Sequence, residues 1–394
     1  MTINAFPLNS LDDGNWFKLI CGASYQHLPA VRSLVLAYTL AGADCIDVAA
    51  DPAVIAAAQE AFRVAQTLGD QAQRLGFDFK GKPLLMVSVN DGEDPHFRKA
   101  EFDPAACPPD CWRPCEQVCP AGAIAFSHPV GSADGVIDQL CYGCGRCLPA
   151  CPSQLIQTRS FVSAPASVMP LVLQMEVDAI EIHTQVGRDK DFRRLWNWVQ
   201  PWVNQLKLVA ISCPDGPDWL EYLQTLHQII SPLPCPLIWQ VDGRPMSGDI
   251  GMGTTIATIR LAEKLLGASE FGLSGYVQLA GGTNGYTVAK LRSLNLLAHS
   301  KIDKGYSRTV AGVAYGSYAR TLLSAILDAL ESTSSSGLGS NLISESKSEI
   351  LNISRVAPLE TEPTLLWQAV GLAHSLISQI KSSVKQEDEL PVYS

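Results

Sequence analysis

Short apolar runs alternate along most of the chain with stretches that carry apolar residues at helical spacing. The runs that predict strands are Phe17–Gly22, Cys45–Ala49, Pro83–Asn90, Asp178–His183, Lys207–Cys213, Cys235–Val241, Gly275–Ala280 and Arg308–Ala314. Helical patterns separate most of them, at Leu28–Ala41, Pro52–Leu68, Met169–Val177, Phe192–Leu206, Trp219–Ile230, Thr254–Leu266 and Thr287–Leu297, and Tyr318–Leu330 follows the last strand. Eight such units predict a TIM-like (β/α)8 barrel, while an open doubly wound sheet is the alternative that the same alternation allows.

The texture changes after Leu330. Ser332–Ser336, with Gly337, Gly339 and Ser340, predicts a flexible linker. Thr364–Ile380 then predicts an amphipathic helix, whose apolar stripe is Leu366, Ala369, Val370, Ala373, Leu376, Ile377 and Ile380. We expect this helix to dock on the barrel rather than on a partner. The predicted division is 1–102 and 154–330 for the barrel, 103–153 for an insert, 331–362 for the linker and 363–394 for the C-terminal helix and tail.

The charge and composition narrow the class of protein. Of the 394 residues 47% are hydrophobic and 17% are charged, which is typical of a globular chain, and the net charge is −10. An acidic chain without a basic run is a poor fit to nucleic acid or to an anionic membrane. Neither a signal peptide in Met1–Ser10 nor an apolar stretch long enough to span a bilayer is evident. We therefore expect a soluble, cytoplasmic protein.

Cysteine is the residue type that points to chemistry. The chain has 12 cysteines, and eight of them fall within residues 103–153. The second four follow Cys141-x2-Cys144-x2-Cys147-x3-Cys151-Pro152, the ligand run of bacterial ferredoxins. The first four are spaced by three residues each, at Cys107, Cys111, Cys115 and Cys119, and Pro120 follows. The segment is therefore expected to be a two-cluster, ferredoxin-like insert.

The crossing rule of two-cluster ferredoxins predicts which cysteines share a cluster. One [4Fe–4S] site would use Cys119, Cys141, Cys144 and Cys147, and the other Cys107, Cys111, Cys115 and Cys151. The wider spacing of Cys107, Cys111 and Cys115 leaves open a [3Fe–4S] cluster at the site that they share with Cys151. Two zinc sites and a set of disulfides are the alternatives, but zinc ribbons normally use two separated C-x2-C pairs.

Several segments together resemble the cyanobacterial light-dependent period protein family (LdpA). They are NWFKLICGASYQHLP at Asn15–Pro29, ADCIDVAADPAVI at Ala43–Ile55, the paired cysteine segments, GRPMSGDIGMGTT at Gly243–Thr255 and QLAGGTNGYT at Gln278–Thr287. The resemblance covers nearly the whole chain except the C-terminal helix. It implies a sensor of photosynthetic redox state that adjusts the circadian period, with clock input and oscillator proteins as partners. The electron donor, for instance a quinone or ferredoxin, stays open.

A barrel would gather the carboxyl ends of its strands into an active-site face. The residues at those ends are Cys21, Asn90, His183, Cys213, Asp242, Arg244, Gly281, Gly282, Asn284 and Tyr315, and the insert should emerge on the same face. Loops seven and eight predict a phosphate or flavin site at Gly281, Gly282, Asn284, Gly316 and Ser317, with turn chemistry alone as the alternative. Lys207 or Arg244 could contact a flavin or substrate, with a solvated strand end as the alternative for the lysine. His183 is the best-placed acid–base candidate, with a structural role as the alternative.

Two functions from different classes follow from these features. The first is a redox sensor or electron carrier without an enzymatic activity, in which partners respond to the state of the clusters. The second is a flavin (FMN) oxidoreductase that exchanges electrons with the clusters. The resemblance favours the sensor.

Overall fold

Eight parallel strands form one closed barrel in the computed structural model, which describes residues 6–126, 135–160, 165–244, 250–297, 309–336 and 357–382. In chain order the strands are β1 (Trp16–Ile20), β2 (Cys45–Ala49), β3 (Leu84–Asn90), β4 (Ala179–His183), β5 (Leu208–Cys213), β6 (Leu237–Asp242), β7 (Tyr276–Ala280) and β8 (Gly312–Tyr315). Each strand pairs in parallel with its neighbours in the chain, and β1 pairs with β8. The barrel prediction is confirmed, because an open sheet would leave two edge strands without this pairing.

The barrel closes where Trp16 lies beside Gly312. A Cβ atom at Gly312 would lie 2.1 Å from the carbonyl oxygen of Trp16, so the two backbones approach too closely for any other residue. The absence of a Cβ atom at Gly312 therefore allows β1 to pair with β8.

Helices connect successive strands and cover the outside of the barrel. They are Leu28–Leu40, Pro52–Arg74, Pro165–Leu173, Asp189–Val199, Trp219–Ile230, Thr255–Leu266 and Thr287–Ser293, and Ser317–Leu322 and Ser324–Ser336 follow β8. A short helix, Asn9–Asp12, precedes β1, and 3-10 turns occur at Pro95–Phe97, Pro104–Ala106, Gln200–Gln205, Met252–Thr254, Ser269–Phe271 and Leu359–Thr361. No helix among the described residues combines the length and the apolar character needed to cross a membrane.

The helix Pro52–Arg74 begins as its sequence predicts but ends later. The carboxylate of Asp51 accepts hydrogen bonds from the backbone N–H groups of Ala53 and Val54, and Pro52 takes the first helical position. The helix passes its predicted end at Leu68 because Gly69 packs against Phe79, where a Cβ atom would lie 2.1 Å from the ring. A glycine that loosens an isolated helix is here required by tertiary packing.

One other helix prediction and the linker prediction differ from the structure. The predicted helix Phe192–Leu206 is an α-helix at Asp189–Val199 followed by a 3-10 turn, in which Pro201 lacks the backbone N–H of a regular helix. The serines Ser332–Ser336 belong to the helix Ser324–Ser336 rather than to a linker. Serine costs little in a helix, and the first glycine of the predicted linker, Gly337, lies outside the described residues together with Gly339 and Ser340.

The helix Pro363–Lys381 packs against the outside of the barrel, and its last residue, Lys381, lies near the amino ends of β1 and β2. Its buried residues are the seven of the apolar stripe: Leu366, Ala369, Val370, Ala373, Leu376, Ile377 and Ile380. The ammonium group of Lys381 donates to Ser10 (3.1 Å) and to the buried carboxylate of Asp44, and the ring of Trp367 stacks on Phe77. Apolar burial and one buried ion pair therefore hold the helix in place.

The cysteine-rich segment interrupts the barrel between β3 and β4. Arg98–Glu101 pairs antiparallel with Gln157–Ser160, and Ile124–Ala125 pairs antiparallel with Gly135–Val136. Two single-turn helices, Pro114–Gln117 and Cys147–Ala150, lie between these strands in the chain. The paired strands at 98–101 and 157–160 extend the folded segment beyond both of its predicted boundaries at 103 and 153.

Candidate functional site

The backbone of the insert brings the eight cysteines together from several short elements. Cys115 lies in the helix that begins at Pro114, after Arg113 in a left-handed conformation (φ 55°), and Cys147 begins the other single-turn helix. Gly143 and Gly145 have positive φ angles of 72° and 77°, which lets the loop between Cys141 and Cys147 turn tightly. Pro108, Pro109 and Pro114 exclude a regular helix through the first run of cysteines, and short turns position these cysteines instead.

Four of the thiols share one small pocket. The pocket is lined by Cys119, Cys141, Cys144 and Cys147, together with Ala121, Ala123 and Leu148. Burial, and then the neighbouring thiols of Cys144, Cys119 and Cys141, raise the pKa of Cys147 to about 12. A metal ligand must be a thiolate, so occupation of this pocket by a metal group would release protons.

Two backbone N–H groups point at sulfur atoms in this pocket. Ala100 donates to the Sγ atom of Cys141 (3.3 Å), and Ala123 donates to the Sγ atom of Cys119 (3.2 Å). Such bonds stabilise thiolate ligands and tune the reduction potential of iron–sulfur clusters. Four soft donors with N–H···S bonds in a pocket with mainly apolar walls fit a cubane cluster, and they also fit zinc in donor type.

The other four thiols form a second group. Burial and the nearby thiols of Cys111 and Cys151 raise the pKa of Cys107. Burial and the thiols of Cys151 and Cys107 also raise the pKa of Cys115. The structure thus brings Cys151 to the first run of cysteines, while Cys119 lies with the second run. Cys107, Cys111 and Cys151 are half-buried, so this group is closer to the surface.

A cavity opens at the carboxyl ends of the barrel strands. Its lining includes four of the five residues predicted to bind phosphate or flavin, Gly281, Gly282, Gly316 and Ser317, and also His183, Asp242 and Arg244. Asn284 does not line it, because its side-chain amide donates to Gly251 (2.7 Å) and Thr254 (3.0 Å). Of the other strand-end residues, Cys21, Asn90, Cys213 and Tyr315 are buried outside this lining.

The prediction that Lys207 could contact a flavin or substrate is wrong. It precedes β5, and its ammonium group lies 2.7 Å from Asp178, which precedes β4. Both residues therefore lie at the opposite end of the barrel from the cavity. An ion pair that joins two strand beginnings is the role that the structure gives to this lysine.

His96 is a cavity residue that the strand and helix pattern does not reveal. It lies in the 3-10 turn Pro95–Phe97, at the point where the chain enters the insert. Its Nδ1 atom lies 2.6 Å from Asp94 and its Nε2 atom 2.6 Å from Asp242 at the end of β6. The two carboxylates outweigh the effect of burial and raise the pKa of His96 well above its usual value. The Asp-Pro-His sequence after a strand end was the available signal.

The barrel interior next to the cavity is polar. Glu181 accepts from Lys18, which is fully buried, and its other oxygen lies 3.1 Å from the Nε2 atom of His183. Asp47 lies 3.6 Å from the same lysine, and burial raises its pKa to about 7. A buried lysine or carboxylate costs free energy unless it is paired. The pair of Lys18 and Glu181 therefore holds the carboxylate of Glu181 where it contacts His183, on the side of the barrel interior.

Tyr142 joins the cysteine pocket to the barrel cavity. It lies between Cys141 and Gly143 in the chain and lines both spaces. The guanidinium group of Arg320 lies 4.2 Å from the centre of its ring, and Tyr25 meets the ring edge-on with centroids 5.9 Å apart. One aromatic side chain therefore separates the four thiols from the carboxyl ends of the barrel strands.

Two parts of the chain match models of known protein families. Residues 107–162 match the family model of the LdpA Fe-S cluster-binding domain, and residues 171–379 match that of the Light dependent period A C-terminal domain. The chain is also 46% identical over 380 residues to "Light dependent period A" of Synechococcus elongatus, covering 96% of this chain and 95% of that protein. The chain therefore belongs to the Light dependent period A family and carries that family's iron–sulfur-binding domain.

Proposed function

We propose that this chain is a redox sensor that holds two iron–sulfur clusters and relays the redox state of photosynthesis to the circadian clock through protein partners. The grouping of eight thiols into two sets of four is the observation that carries the proposal. The name of the relative, Light dependent period A, supports the link to a light-dependent period. The expected partners are clock input and oscillator proteins in the cytoplasm.

The two sets of thiols support the crossed ligand assignment. Cys119, Cys141, Cys144 and Cys147 would hold one [4Fe–4S] cluster, and Cys107, Cys111, Cys115 and Cys151 the other. A ferredoxin-like arrangement of the insert is supported by its two antiparallel strand pairs and its two single-turn helices. Bound clusters would supply reversible one-electron chemistry.

The contact between the insert and the barrel offers a way for a change at the cysteines to reach a partner surface. Tyr142 holds the loop that contains Cys141 and Cys144 against Arg320 of the barrel. The backbone carbonyl of Ile20 accepts from the same guanidinium group (2.8 Å), so Arg320 ties this loop to the end of β1. Arg320 is a cation of the barrel that contacts this loop. We therefore infer that a change in the charge of the loop passes to the barrel through Arg320.

The test begins with anaerobically purified protein. Iron and acid-labile sulfide are expected at two clusters per chain, with broad iron–sulfur absorption. Cys144→Ser should remove one cluster, whereas Cys235→Ser, at a half-buried cysteine before β6, should remove neither. Binding of clock input and oscillator proteins is then compared under oxidising and reducing conditions. If partner binding and its redox response both survived in Cys144→Ser, the sensor mechanism would be wrong.

The thiols of Cys107, Cys111, Cys115 and Cys151 support a more specific hypothesis about the cluster that they would hold. Its wider spacing and half-exposed position favour a [3Fe–4S] cluster or a labile fourth iron. Low-temperature EPR of the protein as isolated without oxygen checks this. A [3Fe–4S] signal before reduction is expected, and two interacting [4Fe–4S] signals on reduction, with no such signal beforehand, would contradict it.

An iron–sulfur flavin oxidoreductase is the second candidate function. It is favoured by the cavity that Gly281, Gly282, Gly316 and Ser317 share with Tyr142. In this proposal the backbone of the loops after β7 and β8 would hold the FMN phosphate. Tyr142 would separate the flavin from the pocket of Cys119, Cys141, Cys144 and Cys147. Flavin released in stoichiometric amount on denaturation would favour the enzyme, and iron–sulfur absorption without flavin would favour the sensor.

A further inference from the structure

Two histidines and two carboxylates meet at the mouth of the barrel, apart from the cysteines. One ligand atom each from Asp94, His96 and His183 lies within 4.8 Å of the others, a spacing suited to a single metal ion. Asp242 adjoins the group, with its Oδ2 atom 2.6 Å from the Nε2 atom of His96. The imidazole rings of His96 and His183 have centroids 4.6 Å apart.

Both ring nitrogens of His96 and one ring nitrogen of His183 lie next to a carboxylate. Asp94 lies 2.6 Å from the Nδ1 atom of His96, and Glu181 lies 3.1 Å from the Nε2 atom of His183. Carboxylates in this position orient metal-bound histidines and raise their basicity. Glu181 is itself paired with Lys18, so the ring of His183 is held from the barrel interior.

Two buried atoms of this group have no hydrogen-bond partner among the described residues. They are the Nδ1 atom of His183 and the Oδ1 atom of Asp242, whose side chains are 6% and 1% exposed. A buried polar atom without a partner is unfavourable, because it has lost its hydrogen bonds to water and gained none in return. Both residues line the cavity, so a ligand there could satisfy both atoms.

We propose that Asp94, His96 and His183, with Asp242 beside them, bind a divalent transition-metal ion at the mouth of the barrel. Two imidazoles with carboxylate oxygens are donors that zinc and ferrous iron accept. In the structure the ring of His96 lies between the carboxylates of Asp94 and Asp242, so an ion bound through a ring nitrogen would displace one of these two contacts.

The proposed ion would face the cavity and join two parts of the chain. His96 and Asp94 belong to the entry into the insert, whereas His183 and Asp242 end β4 and β6. Three or four protein ligands leave room for water or a substrate on the cavity side, as in catalytic metal sites. The inference is independent of the sensor proposal, since none of its ligands is a cysteine.

Zinc binding to the cluster-loaded protein tests the proposal. The anaerobic protein is treated with a mild chelator, titrated with Zn²⁺ by calorimetry and desalted, and its zinc, iron and sulfide are then measured. One zinc per chain is expected with iron and sulfide unchanged. His183→Gln and Asp94→Asn should each weaken zinc binding by about 10-fold or more, and His227→Gln, a histidine that contacts Ser274 on the opposite part of the barrel, should not.

Three outcomes would overturn the proposal. The first is wild-type protein that takes up no zinc, which decides the matter even if a variant fails to fold. The second is zinc uptake at the expense of iron, because the zinc would then occupy the cysteines. The third is equal zinc affinity in His183→Gln and His227→Gln. A failure of the sensor proposal would appear separately, in the iron, sulfide and partner-binding measurements.

Discussion

The guanidinium group of Arg320 lies 4.2 Å from the ring centre of Tyr142, so a cation of the barrel packs on an aromatic residue of the insert. Arg320 is 8% exposed and Tyr142 is 7% exposed, and at this depth the contact is shielded from water. Both residues line the barrel cavity, and Tyr142 also lines the pocket of four thiols. The stability of the insert and that of the barrel are therefore coupled at this point.

Replacing Tyr142 should separate the effect of the ring from that of its hydroxyl group. Tyr142→Phe keeps the face of the ring for Arg320 and should leave stability unchanged. Tyr142→Leu loses the cation–π contact, which should lower the free energy of unfolding by about 1–2 kcal/mol. Thermal unfolding under nitrogen measures both. Equal loss in the two variants would point to the hydroxyl group instead.

Gly143 should be required for cluster binding. A Cβ atom at this residue, whose φ angle is 72°, would lie 2.0 Å from the carbonyl oxygen of Arg98. Gly143→Ala must therefore displace the loop of Cys141 and Cys144, and the iron and sulfide content should fall to about half, as one cluster of two is lost. Gly253→Ala is the control, because nothing lies within 4 Å of a Cβ atom there.

The ion pair between Lys381 and Asp44 should show the cost of a buried charge. Burial raises the pKa of Asp44 even though Lys381 opposes this, so the pair does not fully offset the loss of solvation. Lys381→Met leaves that carboxylate unpaired and should destabilise the protein by about 3–5 kcal/mol. Urea unfolding measures the loss, and Lys290→Met, at an exposed lysine, should have little effect.

The matching double variant checks the cause. Lys381→Met combined with Asp44→Asn removes both charges and should recover most of the lost stability, because no charge is then left unpaired. A double variant no more stable than Lys381→Met would show that lost packing of the lysine stem, rather than the unpaired charge, is responsible.

Asp91 should make stability depend on pH. Burial raises its pKa to about 6, although Thr184 donates to its carboxylate and Arg188 lies 3.6 Å away. Because the folded value lies above the unfolded value of about 3.9, this group's contribution is greatest below pH 4 and is lost as the pH rises to 6. Relative to Asp91→Asn, wild-type protein should lose about 1 kcal/mol between pH 5 and 7.5.

Anaerobic urea unfolding of the two proteins at several pH values measures this difference. Asp70→Asn, at an exposed aspartate in the helix Pro52–Arg74, is the control and should follow wild type at every pH. An unfolding free-energy difference between wild type and Asp91→Asn that does not change with pH would contradict the assignment.

Local patterns predicted the elements well where a short stretch decides the structure. The strand Cys45–Ala49 and the helix Trp219–Ile230 have the predicted bounds, and Pro52 begins its helix after the Asp51 cap. In each case the residues whose interactions determine the element lie close together in the chain. The end of the Pro52 helix was missed because Gly69 depends on Phe79, which packs back on the helix from the following loop.

The sequence by itself determined the spacing of the cysteines, the order of the barrel strands and the seven apolar positions of the last helix, since each depends on residues close together in the chain. Only the tertiary structure decided that His96 meets Asp242, that Lys18 pairs with Glu181 and that Tyr142 packs on Arg320. These contacts join residues far apart in the chain, and they exist because the barrel closes and the insert folds back over the carboxyl ends of its strands.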